Sequence, residues 1–233
     1  AMSQFGLSAG IALMVGILLG ALVGAVIGAL ALRTEGVAFM IVTLMFAQAG
    51  YLTVLYFGAY TRGDEGFVIA QADRVLLSLD LSDPTVRYFA AFSVFCAVFI
   101  MCYLAVQSRF GKVLIAIREN EDRARMLGYD VARYKLAAVV LSASLSALAG
   151  ASYGLLFGYV GASFASVQYS IFPLLWVLLG GAGTVLGPLL GTLFMFYLID
   201  LSSGITTAYM LIAGVVLVFL TLFAPQGVVG DRG

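Results

Sequence analysis

Long apolar segments alternate with short polar ones along the chain. A helix rises about 1.5 Å per residue, so roughly 20 apolar residues cross the ~30 Å hydrocarbon layer of a bilayer. Helices of this kind satisfy their own backbone hydrogen bonds in lipid. The sequence therefore predicts an all-α, polytopic transmembrane helix bundle, a single domain over residues 1–233. It has about seven spans, near residues 10–32, 37–59, 88–107, 136–157, 163–179, 189–199 and 207–223.

Small residues recur at every fourth position in two of these spans, and such residues share one helix face. The two stripes consist of Gly16, Gly20, Gly24 and Gly28 in the first span, and of Ala138, Ser142, Ser146, Gly150, Gly154 and Gly158 in and just after the fourth. Small residues let helix backbones approach closely in a membrane. We therefore expect both stripes to pack against other helices; the alternative for the serines is that they line a polar passage.

The composition agrees with a membrane protein and excludes several other classes. The chain is 63% hydrophobic and 10% charged, whereas soluble domains carry about 25% charged residues. The net charge is zero and there is no histidine, so nothing indicates nucleic-acid binding or a His-based site. Cys96 and Cys102 lie six residues apart in one apolar segment and have no disulfide or zinc spacing. We expect no catalytic and no metal-binding residues.

Two polar loops differ in charge, and this difference predicts the orientation. The loop over residues 109–135 has seven basic and four acidic residues, a net charge of +3. The loop over residues 60–87 has three basic and five acidic residues, a net charge of −2. Loops rich in Lys and Arg remain in the cytoplasm. We therefore expect loop 109–135 inside, loop 60–87 outside, Ala1 outside and the C-terminus in the cytoplasm.

The middle of the basic loop predicts a short helix from Glu121 to Leu127. Asn120 is a favourable N-cap, and Gly128 is suited to the left-handed residue that ends a helix. Acidic residues in the first turn and basic residues later complement the helix dipole; they are Glu121, Asp122, Arg123 and Arg125. So short a helix is marginal in water alone, so we expect it to be held by packing.

Apolar residues at helical spacing precede this short helix: Phe110, Val113, Leu114 and Ile117. They would lie against the membrane interface or against the bundle. The alternative for the whole loop is a solvated segment that only sets the topology.

Polar residues and glycines inside the spans are candidates for a translocation path. Thr43 and Gln48 lie deep in the second span, where structural hydrogen bonding is the alternative role. Glycines interrupt the apolar stretch near residues 180–188, among them Gly180, Gly181 and Gly183. Breaks of this kind are typical of binding sites in transporters. A tight cytoplasmic turn between two spans is the equal alternative.

The motifs resemble those of the branched-chain amino acid ABC transporter permeases of the LivM type. The run Arg118–Gly128 is similar to their cytoplasmic coupling segment: Asp122, Ala124 and Gly128 match the acid, alanine and glycine of the E-A-A-x-x-x-G signature, while Arg123 replaces its first alanine. Further similar segments are Leu32–Gly36 with Ile41–Leu44, Gly180–Pro188 and Phe223–Gly227. Family members begin with further spans that carry a Gly-, Gln- and Ser-rich motif. No such motif precedes Gly10, so the chain resembles a member that lacks its N-terminal helices.

The resemblance implies a non-enzymatic permease subunit of an ATP-binding cassette importer in the cytoplasmic (inner) membrane. Its implied partners are two ABC ATPase subunits, a second permease of the related type, an extracytoplasmic substrate-binding protein and the lipid bilayer. It implies no cofactor in this chain, since ATP and Mg²⁺ belong to the ATPases. Branched-chain amino acids are the default cargo; amides, urea and aromatic acids are carried by related permeases. The residues implied to couple to the ATPases are Arg118, Glu119, Asn120, Glu121, Asp122, Arg123, Arg125 and Gly128.

Three alternatives remain at this level. An ion-gradient-driven secondary transporter usually places charges at the membrane midplane, yet none lies mid-span and Asp200 lies at a span end. A membrane-embedded enzyme would need catalytic acid–base groups, yet the chain has no histidine and no paired carboxylates within the spans. A non-transporting membrane scaffold is the third alternative.

Overall fold

The computed structural model describes residues 9–69, 75–76, 79–81, 83–181, 183–204, 211, 214–216 and 218–219. The chain divides into two compact units, Ala1–Ala165 and Ser166–Gly233. The elements of the first unit are α1 (Ala9–Ala31), α2 (Val37–Tyr56), α3 (Gly58–Thr61), β1 (Phe67–Val68), β2 (Val75–Leu76), β3 (Leu79–Asp80), α4 (Pro84–Gln107), α5 (Arg109–Glu119), α6 (Glu121–Met126), α7 (Val131–Phe157) and β4 (Tyr159–Val160). The second unit contains α8 (Val167–Gly180) and α9 (Gly187–Ser203).

Four helices in the described part of the chain are long and apolar enough to cross a membrane: α1, α2, α4 and α7. They confirm the first four predicted spans. None of the residues of α2 or α4 is buried within the chain. Their apolar side chains are therefore available to lipid or to other proteins, as expected of helices in a bilayer.

The core of the first unit is the antiparallel pair of α1 and α7. The glycines of α1 lie against α7 in reverse order, with Gly16 nearest Ala151 and Gly28 nearest Val139. Near the start of α1, Ala9 packs with Leu81 and with Leu155 near the end of α7. The two helices thus contact one another along most of their length.

Each end of this pair has its own connecting structure. At one end lie the turn that joins α1 to α2, together with α5 and α6; we call this the α6 end. At the other end β1 pairs with β4 in an antiparallel ladder, Phe67 opposite Val160 and Val68 opposite Tyr159. We call this the ladder end. A second ladder joins β2 to β3.

Two of the long helices begin at an aspartate that caps them. Asp83 accepts a hydrogen bond from the backbone N–H of Thr85 at 2.8 Å, with Pro84 in the first turn of α4. Asp130 accepts from the backbone N–H of Arg133 at 3.2 Å, so α7 starts five residues before the predicted span. The basic residues Arg133 and Lys135 therefore belong to the first turns of α7 rather than to a loop.

In the second unit, α8 and α9 form a helical hairpin. Leu179 and Met195 form its buried core with Trp176 and Leu198 packed against them. The arms contain 14 and 17 residues, or about 21 and 26 Å at 1.5 Å per residue, which is less than the ~30 Å of hydrocarbon. The predicted spans near 163–179 and 189–199 thus correspond to shorter apolar helices. The predicted span at 207–223 and the ending Phe223–Gly227 lie largely outside the described residues.

Candidate functional site

The short helix α6 has hydrogen-bonded caps at both ends. Asn120 Oδ1 accepts from the backbone N–H of Arg123 at 2.8 Å. At the other end, the N–H of Gly128 donates to the carbonyl of Arg125 at 2.9 Å, and the N–H of Tyr129 donates to the carbonyl of Ala124 at 3.2 Å. This pair of bonds is the Schellman arrangement. Gly128 has φ 88°, a left-handed conformation that glycine adopts without steric cost. The predicted helix and both its caps are present.

A small apolar core lies beneath α6. Ala124 is 2% exposed and packs with Val113 and Ile117 of α5 and with Val131 at the start of α7. Next to this core, the ring of Phe110 stacks on Tyr134 with 5.8 Å between centroids. The apolar face of α5 therefore lies against the bundle, which settles the choice between bundle and membrane interface that the sequence left open.

Glu121 faces back towards α7. Its carboxylate accepts hydrogen bonds from Lys135 Nζ at 2.5 Å and from Arg125 Nη2 at 2.7 Å. The hydrogen bond from Lys135 holds the pKa of Glu121 below its ordinary value; burial opposes this shift, and the positive charges of Lys135 and Arg125 reinforce it. Arg125 Nη2 also lies 3.8 Å from Glu35 in the α1–α2 turn.

The opposite side of the α6 region is open. The side chains of Met126 and Leu127 are 87% and 70% exposed. The coupling residues named from the sequence that are also exposed are Arg118, Glu119, Asn120, Asp122, Arg123, Arg125 and Gly128. These two adjacent apolar side chains form a small exposed apolar patch among charged residues. We call Met126, Leu127 and Arg123 the outer face of α6.

Sequence reasoning placed Glu121 among the residues that touch a partner, but its carboxylate is bonded within the chain. It did not single out Lys135, Met126 or Leu127. The signal for Met126 and Leu127 was present, because they are the two large apolar residues at the end of an otherwise charged helix.

The glycine stripe of α1 lies in close contact with α7. A Cβ added at Gly20 or Gly24 would collide with the Cβ of Ala147 or Ala143 of α7. The α7 face that meets it consists of Val139, Ala143, Ala147 and Ala151.

The stripe of α7 on which another helix was expected to pack is offset by one residue from that face. Ser142, Ser146 and Gly150 are exposed. The two serines line an open groove of about 470 Å³ between α4, α5 and α7, whose wall includes Leu141 and Leu145. Gly150 has open space around it, while Gly154 lies against the side chain of Val160.

The candidates for a translocation path belong to different elements of the chain. The hydroxyl of Thr43 donates to backbone carbonyls of its own helix, at 2.9 Å to Met40 and 3.0 Å to Phe39. Gln48 is exposed on α2. Gly180 ends α8 in close contact with Gly187 of α9, and Gly181 (φ 108°) follows it. Gly181 and Gly183 lie in the turn of the α8–α9 hairpin.

Comparison with known proteins is consistent with this architecture. The family described as "Branched-chain amino acid transport system / permease component" matches residues 1–223. The chain belongs to this family of transport permeases. It is therefore a multi-pass membrane protein of the all-α class.

Three relatives have transport names. The permease chain is 30% identical to the probable branched-chain amino acid transport permease protein LivM of Methanocaldococcus jannaschii, over 53% of the chain and 40% of that relative. It is 27% and 26% identical to the high-affinity branched-chain amino acid transport system permease proteins LivM of Salmonella typhimurium and Escherichia coli, over 84% of the chain and 51% of each relative. The permease chain thus spans about half the length of the curated relatives it matches. No solved structure shows significant similarity to it.

Within the described residues of the permease, no group of three or more His, Cys, Asp or Glu side chains could hold a metal ion. The polar chemistry at the α6 end consists instead of ion pairs and helix caps. Such an arrangement holds a short charged helix in a defined position. A helix held in this way is suited to passing on a push from a bound protein.

Proposed function

We propose that the chain is the permease subunit of an ATP-binding cassette importer in the cytoplasmic membrane. Its cargo is a branched-chain amino acid or a related small polar solute such as an amide, urea or an aromatic acid. Two ABC ATPase subunits bind on the cytoplasmic side at α6, a second permease completes the pathway, and an extracytoplasmic binding protein delivers the solute. ATP and Mg²⁺ bind to the ATPases.

The observation that carries this proposal is the construction of α6. An isolated helix of two turns is marginal in water, yet this one has hydrogen-bonded caps, a buried Ala124 and an inward-facing ion pair. Its outer face nevertheless exposes Met126 and Leu127. A helix that is stabilised from within and apolar on its free side is suited to receive a push from a docked protein, whereas a flexible loop would absorb that push.

The first test concerns docking. We expect the double variant Met126→Ala/Leu127→Ala to bind the ATPase subunits at least about ten-fold more weakly, because two exposed apolar anchors are each worth about 1 kcal/mol or more at a protein interface. The matched control is Leu44→Ala/Met45→Ala on α2, where both side chains are also exposed. Pull-down of the ATPases with purified, membrane-inserted chain measures the effect.

The second test concerns the energy source. Proteoliposomes that contain the assembled complex should take up leucine when ATP is enclosed with the ATPases, and should not do so with an ion gradient alone. Uptake driven by a gradient without ATP would favour the secondary transporter.

The docking test has its own contrary outcome. Unchanged ATPase binding in the Met126→Ala/Leu127→Ala variant would remove α6 as the docking helix.

The path of the solute is part of the same proposal. We propose that Gln48 and Thr43 of α2 line this path. A separate proposal is that Gly180, Gly181 and Gly183 of the α8–α9 turn belong to it. An amide exposed to lipid is unfavourable, so Gln48 needs either a protein partner or a watery path. Competition of leucine uptake by urea, short amides and aromatic acids would define the cargo of the complex.

A further inference from the structure

The ion pair beneath α6 joins residues that are distant in sequence. Lys135 lies 14 residues after Glu121, on the second turn of α7, and its Nζ donates to Glu121 Oε2 at 2.5 Å. The two side chains are 31% and 29% exposed, whereas Arg125 is 56% exposed. The bond from Lys135 is thus the better shielded of the two that Glu121 accepts.

The charges near α6 differ in what they can contribute. An exposed ion pair with a long N···O distance adds little, and the contact between Arg125 and Glu35 is of this kind at 3.8 Å with both partners more than half exposed. The bond between Lys135 and Glu121 is charge-assisted, and both of its side chains are less than a third exposed, so it contributes more. It lies beside the apolar contact of Ala124 with Val131. α6 is therefore held to α7 at two points, one ionic and one apolar.

The partner of α6 in this contact is itself part of a rigid pair. α7 packs on the glycine stripe of α1 with the two backbones close together. Beyond its far end, β4 pairs with β1 of the loop over residues 60–87. Packed interfaces of this sort move as bodies rather than deform continuously.

We propose that Lys135 is a positioning residue that fastens α6 to α7 through Glu121, so that a push on α6 moves α7 and α1 as one body towards the ladder end. This inference rests on the proposed function, because the push comes from the docked ATPases. The apolar contact under Ala124 sets where α6 lies, and the Lys135–Glu121 bond keeps it from sliding along α7. Lys135 itself makes no contact with the solute or with ATP.

The test separates coupling from assembly. The variant Lys135→Met keeps the length of the side chain but removes its charge. In the reconstituted complex, it should lower the amount of solute taken up per ATP hydrolysed at least three-fold. The amount of assembled complex should stay unchanged. The charge-exchanged variant Glu121→Lys/Lys135→Glu should restore most of the ratio. The matched control is Arg133→Met, because Arg133 lies two residues before Lys135 on the same helix and pairs with Asp130 at 2.9 Å instead.

A second measurement does not depend on transport. A spin label at Met126→Cys, with Cys96 and Cys102 replaced by serine, should become more mobile in the Lys135→Met background and stay unchanged with Arg133→Met. The inference is overturned if Lys135→Met leaves the mobility of the label or the solute taken up per ATP unchanged. It is also overturned if uptake and ATP hydrolysis fall only in proportion to the amount of assembled complex. If the unaltered complex shows no ATP-driven uptake while the label responds as expected, the proposed function fails and the fastening of α6 to α7 stands.

Discussion

At the scale of single residues, Asn120 and Gly128 define where α6 begins and ends. The side-chain oxygen of Asn120 accepts the N–H of Arg123, and the left-handed backbone of Gly128 allows two further bonds. These effects are local, so they can be read from the sequence. Glu121 differs, because its main partner comes from another helix.

Replacement of Gly128 by alanine should loosen α6. The residue has φ 88°, and a Cβ there would meet nothing within 4 Å, so the cost is only that of the left-handed backbone, about 1 kcal/mol. We expect the amides of residues 128 and 129 to exchange about five-fold faster in the purified protein, measured by hydrogen exchange. Gly150→Ala is the control, since Gly150 is helical with open space around it. Equal protection in both variants would contradict this account of the cap.

The Glu121 carboxylate should make the anchoring of α6 dependent on pH. Because its pKa is lowered in the folded protein, mainly by Lys135, its stabilising contribution is fully present above the ordinary carboxyl pKa and is lost as the pH falls through the lowered value. We expect protection of the α6 amides, corrected for intrinsic exchange, to fall as the pH is lowered from neutral to below the ordinary carboxyl pKa. Glu121→Gln should remove most of that dependence. A dependence that persists in this variant would assign it to other carboxyl groups.

At the scale of elements, the α1–α7 contact depends on which of two neighbouring stripes faces α1. Val139, Ala143, Ala147 and Ala151 make the contact, while Ser142, Ser146 and Gly150 on the adjacent face remain exposed. Both stripes consist mainly of small residues at four-residue spacing. Helical spacing alone cannot distinguish them, because each would allow the backbones to approach closely.

Enlarging a glycine of α1 should separate this helix pair. Gly24→Leu would place its side chain against Ala143, and overpacking of this kind costs about 1–3 kcal/mol. We expect the thermal unfolding midpoint in detergent to fall by at least about 2–4 °C. The matched control, Gly150→Leu on α7, has open space and should change it little. In addition, Ala143→Gly should rescue the milder variant Gly24→Ala; failure of that rescue would show that the collision is not the cause.

At the scale of the whole molecule, the sequence predicted the class of fold and the local features of the α6 site. The first four spans follow from the length of the apolar segments. The caps of α6 at Asn120 and Gly128 follow from hydrogen bonds between residues close in sequence. The contact of Lys135 with Glu121 and the choice of α7 face do not, because both depend on how distant helices are placed. The roles of the coupling residues and of the path residues remain predictions.

The orientation of the chain gives the last prediction. Arg125 approaches Glu35, so α6 and the α1–α2 turn lie at one end of α7, whereas the β1–β4 ladder lies at the other. α7 has 27 residues, about 40 Å at 1.5 Å per residue, which exceeds the ~30 Å of hydrocarbon. We therefore expect the two ends to face opposite sides of the membrane. Because loops rich in Lys and Arg remain in the cytoplasm, we expect the α6 end on the cytoplasmic side.

Single cysteines in a chain without Cys96 and Cys102 test this arrangement. An impermeant maleimide should label Met126→Cys and Glu35→Cys only in inside-out vesicles. It should label Val68→Cys only in right-side-out vesicles. Met126 and Val68 are 87% and 72% exposed, so burial within the chain does not limit their labelling. If Met126→Cys and Val68→Cys are labelled from the same side, α7 does not cross the bilayer. If Met126→Cys is labelled from outside, the ATPases cannot reach α6 and the proposed coupling fails, because ATP is hydrolysed only on the cytoplasmic side.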